Sequence, residues 1–186
     1  SQGYKSDGHG GTLLGFGASV YNSSIVLSYF IESISYQLEN KIGIEIGCGP
    51  GFVSIAASLA KMKLIVATDG DLDSIQLVTN NIENNCLSYQ NTLVKQLLWG
   101  NNDHINHVLD SISSFISIKN QQDQDQQQDQ YQDQDVEKIK PDYIFASDVV
   151  ACPYEHSYQN LVETLVELTA PHTIIYLTYQ FRHSTE

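Results

Sequence analysis

Apolar positions change their period along this chain. Between Val20 and Leu38 they recur at helical spacing, with Ile25, Leu27, Phe30, Ile31, Ile34 and Leu38 on one stripe, which predicts an amphipathic helix. A continuous apolar run then predicts a strand over 42–47, followed by a short helix from Val53 to Leu59 and a second strand over 64–68. The pattern continues with a helix from Leu72 to Glu83, a strand over 92–97 and a helix from Ile105 to Ile118. Asp142 to Ala146 reads as a fourth strand ending at Ser147-Asp148, Tyr158 to Leu168 as a helix, and Thr173 to Thr178 as a fifth strand after Pro171. Such alternation predicts an α/β fold with a mostly parallel sheet, right-handed crossovers and helices on both faces. Ligands bind such sheets outside the carboxyl ends of the strands, at the switch point, here the end of strand one.

That strand end is where the sequence is richest in glycine. The segment Glu45-Ile-Gly47-Cys48-Gly49-Pro50-Gly51 lets the backbone turn sharply and approach a ligand without Cβ atoms in the way, and the second strand closes on Asp69, which can accept hydrogen bonds from ribose hydroxyls. The unit reads as a cradle for a nucleoside cofactor, against the plainer reading of a tight βα turn that binds nothing. A dinucleotide fingerprint would need glycine where Phe52 stands, and a P-loop would need Gly-Lys-Ser/Thr, so both phosphate cradles are disfavoured. What remains resembles motif I of the class I S-adenosyl-L-methionine (SAM)-dependent methyltransferases.

Composition narrows the partners. The 186 residues suit one domain, with 1–16 expected to be disordered and 17–186 to form the cofactor-binding unit. No apolar run approaches the length of a membrane span and no basic-then-apolar leader is present, so neither a span nor a secretory signal is read and a cytoplasmic or nuclear setting is expected. Cys48, Cys86 and Cys152 lack metal or redox pairing and are expected to be reduced thiols. A formal charge of −13 disfavours nucleic acid and suits a cationic partner. Nine Gln, five Asp and Tyr131 make up 121–135, a polar tract unable to bury enough surface to offset its ordering entropy, which reads as an inert insertion spanning about 120–136. His104 and His107 have a chelating spacing but no third ligand, so no metal is expected, and the absence of Gly-x-Ser-x-Gly sets hydrolase chemistry aside.

Several segments together carry a more specific resemblance. Val20 to Glu32, GIEIGCGPGFVSI, ATDGD with Asn81 and Asn85 beyond it, Leu97-Leu-Trp-Gly100 and Ala146-Ser-Asp-Val-Val150 resemble successive motifs of the protein lysine methyltransferases of methyltransferase family 16. The resemblance implies a Rossmann-like, doubly wound class I methyltransferase sheet, SAM as cofactor, and methyl transfer to a lysine presented by a protein substrate. It implies cofactor contacts from Tyr21, Glu45, Gly47, Cys48, Gly49, Gly51, Asp69, Gly70, Trp99, Ser147 and Asp148. Trp99 matches the tryptophan beside the adenine; on residue chemistry alone it is equally an ordinary core aromatic. Asp148 aligns with the acid of the family's Asp-x-x-Tyr motif and is expected near the methyl and the incoming amine.

Three departures bear on catalysis. Tyr21-Asn22 stands where the family usually carries Trp-Asp. Asp148 is followed by Val149-Val150-Ala151, so the motif tyrosine is missing; Tyr154 fills its place or is a surface loop residue. The family's C-terminal antiparallel strand pair is missing from a chain that stops at Glu186, which leaves strand five as an edge for a partner or a missing segment to cover. The alternatives are therefore a catalytically weak, methyltransferase-like protein-binding module, or a small-molecule methyltransferase.

Overall fold

The computed structural model describes residues 19–85, 89–123, 138–151 and 155–181. Five strands, β1 (Ile42–Ile46), β2 (Leu64–Asp69), β3 (Thr92–Gln96), β4 (Tyr143–Ser147) and β5 (Ile174–Thr178), form one sheet in the order β3-β2-β1-β4-β5. Every pairing is parallel, as the alternating pattern predicts. Six helices connect or flank them: α1 (Asn22–Ser33), α2 (Ser35–Leu38), α3 (Phe52–Leu59), α4 (Leu72–Asn85), α5 (Asn102–Asp123) and α6 (Glu155–Leu168). The chain reverses its winding between β1 and β4, so a crevice opens where their carboxyl ends diverge.

Two core layers sandwich the sheet. On one face α5 and α6 bring Ile105, Val108, Ile112 and Leu161 against Ile44, Val66 and Ile144. On the other, α1 and α3 pack Leu27, Ile31, Val53 and Ala57 against Ile65, Tyr143 and Phe145. A smaller cluster of Cys48, Ala67, Val78 and Ile82 seats α4. Burial of all of β1 but Ile42 and all of β2 but Asp69 explains their unbroken apolar runs, since strands covered on both faces need no alternation.

Helix ends shift by up to three residues from the pattern at α4, the start of α5 and the start of α6, and two differences are larger. The predicted 20–38 helix is interrupted at Ile34, where ψ turns to 14°; Ser33, Ile34 and Ser35 are weak helix formers, and the Ser33 hydroxyl donates to the Phe30 carbonyl. Helix α5 runs to Asp123, so the Gln/Asp tract begins as helix. Extending an existing helix fixes one residue per hydrogen bond gained, and Gln is a good helix former, so polarity alone does not stop it. The rest of the tract, 124–135, lies outside the described residues, as does the segment 1–16.

Candidate functional site

The glycine turn after β1 is built from left-handed backbone. Gly47, Gly49 and Gly51 have φ of 64°, 49° and 81°. At Gly51 glycine is required twice over, because a Cβ would also stand 2.3 Å from Val78 Cγ2 on α4. Neighbouring elements hold the turn in place. Cys48 N–H donates to the Thr68 carbonyl at 2.8 Å, and the Asn81 side-chain amide donates to the Pro50 carbonyl at 2.8 Å. Gly49 N–H donates to Asp69 Oδ2 at 2.9 Å, joining the turn to the end of β2.

Beneath the turn lies Glu45, only 1% exposed. Its Oε2 accepts hydrogen bonds from both the backbone N–H and the hydroxyl of Ser54, in the first turn of α3. Burial pushes this carboxyl up to about 8, against the lowering effect of the two Ser54 bonds. Glu45 thus reaches the turn from below, through α3. The Cys48 thiol beside it is also pushed up, by burial and then by the nearby carboxylates of Glu45 and Asp69.

Asp69 sits at the open end of β2. Besides Gly49 N–H it accepts the Asp71 N–H on Oδ1 at 3.1 Å, while Asp71 Oδ2 caps α4 through the N–H and hydroxyl of Ser74. Burial raises the Asp69 carboxyl above its ordinary range, with the amides of Asp71 and Gly49 pulling the other way. Each carboxylate oxygen carries two lone pairs, so acceptor capacity remains after these bonds. Two side chains after β3, Leu98 and Trp99, lie near this end of the sheet. Trp99 points toward the turn, its Cζ2 3.9 Å from where a Gly47 Cβ would stand, and it packs against the core cluster. Leu98, 47% exposed, is the side chain that lies against Gly70, its Cδ2 3.2 Å from a Cβ built there. The Leu-Trp-Gly segment is anchored by Leu98 N–H donating to His104 Nδ1 and by Gly100 N–H donating to the Thr164 hydroxyl.

Across the crevice, Ser147 ends β4 and Asp148 follows with φ 58°, a left-handed conformation that Asp tolerates better than most residues. Its side chain spans two elements: the Ser23 hydroxyl on α1 donates to Oδ2 at 2.7 Å, and the Gln180 N–H after β5 donates to Oδ1 at 3.2 Å. Tyr21, the N-cap residue of α1, has its carbonyl engaged by the Ser24 N–H and hydroxyl. The predicted position of Tyr154 lies outside the described residues. Among the described residues no cluster of three or more His, Cys, Asp or Glu could hold a metal, and no helix is long and apolar enough to cross a membrane.

The site therefore combines a bare backbone cradle, an acid at the end of the adjacent strand, an exposed leucine beside that acid, and a second acid across the crevice. Asp69, Asp71 and Asp148 stand at the carboxyl ends of β2 and β4, an acidic setting that suits a ligand that is cationic and carries hydroxyls to donate. Ser54, Leu98 and Ser23 escaped sequence reasoning. Ser54 was accessible, being nine residues from Glu45 in the first turn of the helix that follows; Ser23 carried no local signal.

Comparison with known proteins shows the family and the fold. The family described as lysine methyltransferase matches residues 8–114, more than half of the chain. Protein N-lysine methyltransferase METTL21A of Xenopus tropicalis is 24% identical over 175 residues, covering 93% of this chain and 65% of that protein. Protein-lysine methyltransferase METTL21E of Bos taurus is 33% identical over 178 residues, covering 92% of this chain and 50% of that protein. The chain thus spans about half to two thirds of the length of these relatives. Among solved structures, ribosomal protein L11 methylase of Lactobacillus delbrueckii subsp. bulgaricus superposes with a TM-score of 0.52 at 15% identity, over 86% of this chain and 61% of that one. That likeness identifies the Rossmann-like methyltransferase fold.

Proposed function

This chain belongs to the lysine methyltransferase family, and from that premise we propose that it binds SAM across the carboxyl ends of β1 and β2 and transfers the methyl group to a lysine of a protein substrate. The observation that carries this reading is the left-handed glycine turn at the end of β1, tied to Asp69 at the end of β2 by the Gly49 N–H. In this reading the backbone of Gly47 to Gly51 receives the methionine end, Asp69 accepts ribose hydroxyls, and Leu98 and Gly70 offer an apolar surface for the base. Trp99 closes the floor near Gly47, and Glu45 supports the turn from below. Cys48, Ser147 and Tyr21 border the same crevice.

SAM supplies an electrophilic methyl on a sulfonium, already a good leaving group. The residues of the chain have to hold an amine in line with it, a positioning effect of roughly 7–11 kcal/mol when geometry is ideal. A lysine arrives as an ammonium, its ordinary pKa being about 10.4, and has to shed a proton before it reacts. Acidic side chains attract the ammonium, and partial desolvation in the crevice favours its neutral form. Asp148 is the candidate to orient the amine, with Tyr154 as a further candidate in the adjoining segment. A formal charge of −13 favours a lysine-rich protein over nucleic acid as partner, and a reducing cytoplasmic or nuclear setting suits the buried free thiol of Cys48.

Calorimetric titration of S-adenosylhomocysteine (SAH), with Asp69→Ala as control, tests the cofactor site. Binding in the micromolar range, weakened about tenfold or more in the variant, is expected. Radiolabelled methyl transfer from SAM to acid-stable lysine products then tests the reaction. Cofactor binding with no transfer to any protein would favour the binding-module reading, to which the incomplete Asp-x-x-Tyr sequence at 148–151 already points.

A further inference from the structure

We propose that Ser23 is a positioning residue for Asp148, and that its hydroxyl sets how well this chain distinguishes a cationic sulfonium cofactor from the neutral thioether left after methyl loss. The inference rests on the cofactor reading above. Ser23 is 5% exposed and lies in the first turn of α1. Serines in helices usually bond their own backbone, and its neighbours do so, Ser24 to the Tyr21 carbonyl and Ser28 to the Ser24 carbonyl. Ser23 instead crosses 125 residues of sequence to donate to Asp148 Oδ2 at 2.7 Å.

That bond is one side of a closed ring. Asp148 N–H donates to the Thr178 carbonyl at 2.9 Å, and the Thr178 hydroxyl donates to the Ser23 carbonyl at 3.1 Å. The Gln180 N–H holds the other carboxylate oxygen. Three elements, α1, β4 and β5, therefore agree on one orientation of one carboxylate, and the left-handed backbone at Asp148 persists because they over-determine it. Position gives the orientation its meaning. β4 pairs with β1 up to Ile46↔Ala146, and Val149 Cγ1 stands 3.0 Å from where a Gly47 Cβ would be, so Asp148 is the neighbour in sequence of a residue that abuts the glycine turn. A fixed anion there favours a cation over an isosteric neutral ligand. SAM carries the sulfonium charge and SAH lacks it, so loosening the carboxylate should weaken SAM and spare SAH.

The test is calorimetric titration of SAM and of SAH, without acceptor, into the wild-type chain, Ser23→Ala, Ser23→Thr, Asp148→Asn and the Ser23→Ala/Asp148→Asn double variant, with thermal midpoints measured in parallel. Ser23→Ala is expected to lower the ratio of SAM to SAH affinity about fivefold, the order expected when a unit-charge pair loosens by an ångström or two at an effective dielectric of about 20. Ser23→Thr, which keeps the hydroxyl, should restore the ratio. Adding Ser23→Ala to Asp148→Asn should change it by less than about twofold, since the two act as one unit. An unchanged ratio in Ser23→Ala, or equal losses of both ligands alongside a lowered midpoint, would overturn the inference and leave Ser23 as a packing residue. Failure of folded wild-type chain to bind either ligand would instead overturn the cofactor reading, and this inference with it.

Discussion

The two sides of the crevice are held together by different kinds of interaction. On the β1–β2 side, the contacts are short in sequence: Glu45 meets Ser54 nine residues on, and Gly49 meets Asp69 twenty residues on. On the β4–β5 side, Ser23 meets Asp148 across 125 residues and Thr178 across 155. Burial divides the same way. β1 and β2 are almost wholly covered, whereas every described residue of β5 is exposed or half-exposed and its pairing runs to β4 alone among the described residues. The comparison teaches that the half of the site proposed to hold the cofactor is a local, self-contained unit, while the half proposed to face the reacting group depends on the assembled fold.

The largest effect that could break this contrast is expected at Gly51. Gly51→Ala forces a side chain into left-handed backbone, about 1–2 kcal/mol, and against Val78, about 1–3 kcal/mol more, so denaturant unfolding should show a total loss of about 4 kcal/mol. Val78→Ala in the same chain should recover the packing part and leave the backbone part. Recovery of the whole loss would mean that conformation at Gly51 matters little.

Glu45 sharpens the same side through pH. Its carboxyl is raised in the folded chain from an ordinary value of 4.5 to about 8, so the folded state binds the extra proton between those limits. Stability from this group is therefore fully present below about pH 4.5 and is lost as pH rises through about 8. Thermal or urea unfolding should show a decline on the order of 3 kcal/mol across that window, and Glu45→Gln, which stays neutral, should flatten it. A wild-type curve that rises over the window would show that Ser54 and bound water solvate the carboxylate better than burial penalises it.

A direct contrast of the two sides comes next. Ile44→Ala in fully buried β1 should destabilise by about 3 kcal/mol and Ile175→Ala, 40% exposed in β5, by about 1 kcal/mol, a difference of about 2 kcal/mol by chemical denaturation. Equal losses would mean that β5 is covered in solution. The smallest effect belongs to the far end of the sheet, where the exposed Lys138–Asp110 pair, N to O 3.0 Å, should contribute less than about 0.5 kcal/mol in a double-mutant cycle at moderate salt.

Much of the fold was legible because buried parallel strands leave unbroken apolar runs and their helices leave 3.6-residue periods. The glycine turn and Asp69 were legible for a related reason, since their chemistry is encoded by residue type at short spacing. That Leu98 lies against Gly70 and Trp99 toward Gly47 was not legible, because it turns on the backbone path after β3, which His104 and Thr164 anchor from α5 and α6. The interruption at Ile34 and the five-residue extension of α5 to Asp123 turn on small differences in helix propensity, weak at Ser33 to Ser35 and good at the glutamines.

By itself, then, the sequence determined the order and type of the elements, the parallel sheet, and the cradle at the end of β1, because each is written in the residue types and periods along the chain and in the short connections between them. Only the tertiary structure decided that Ser23 meets Asp148 and Thr178. The reason is physical: a hydrogen bond between residues more than a hundred positions apart exists only after the strands between them have paired and the core has closed, and no local pattern in the sequence records it.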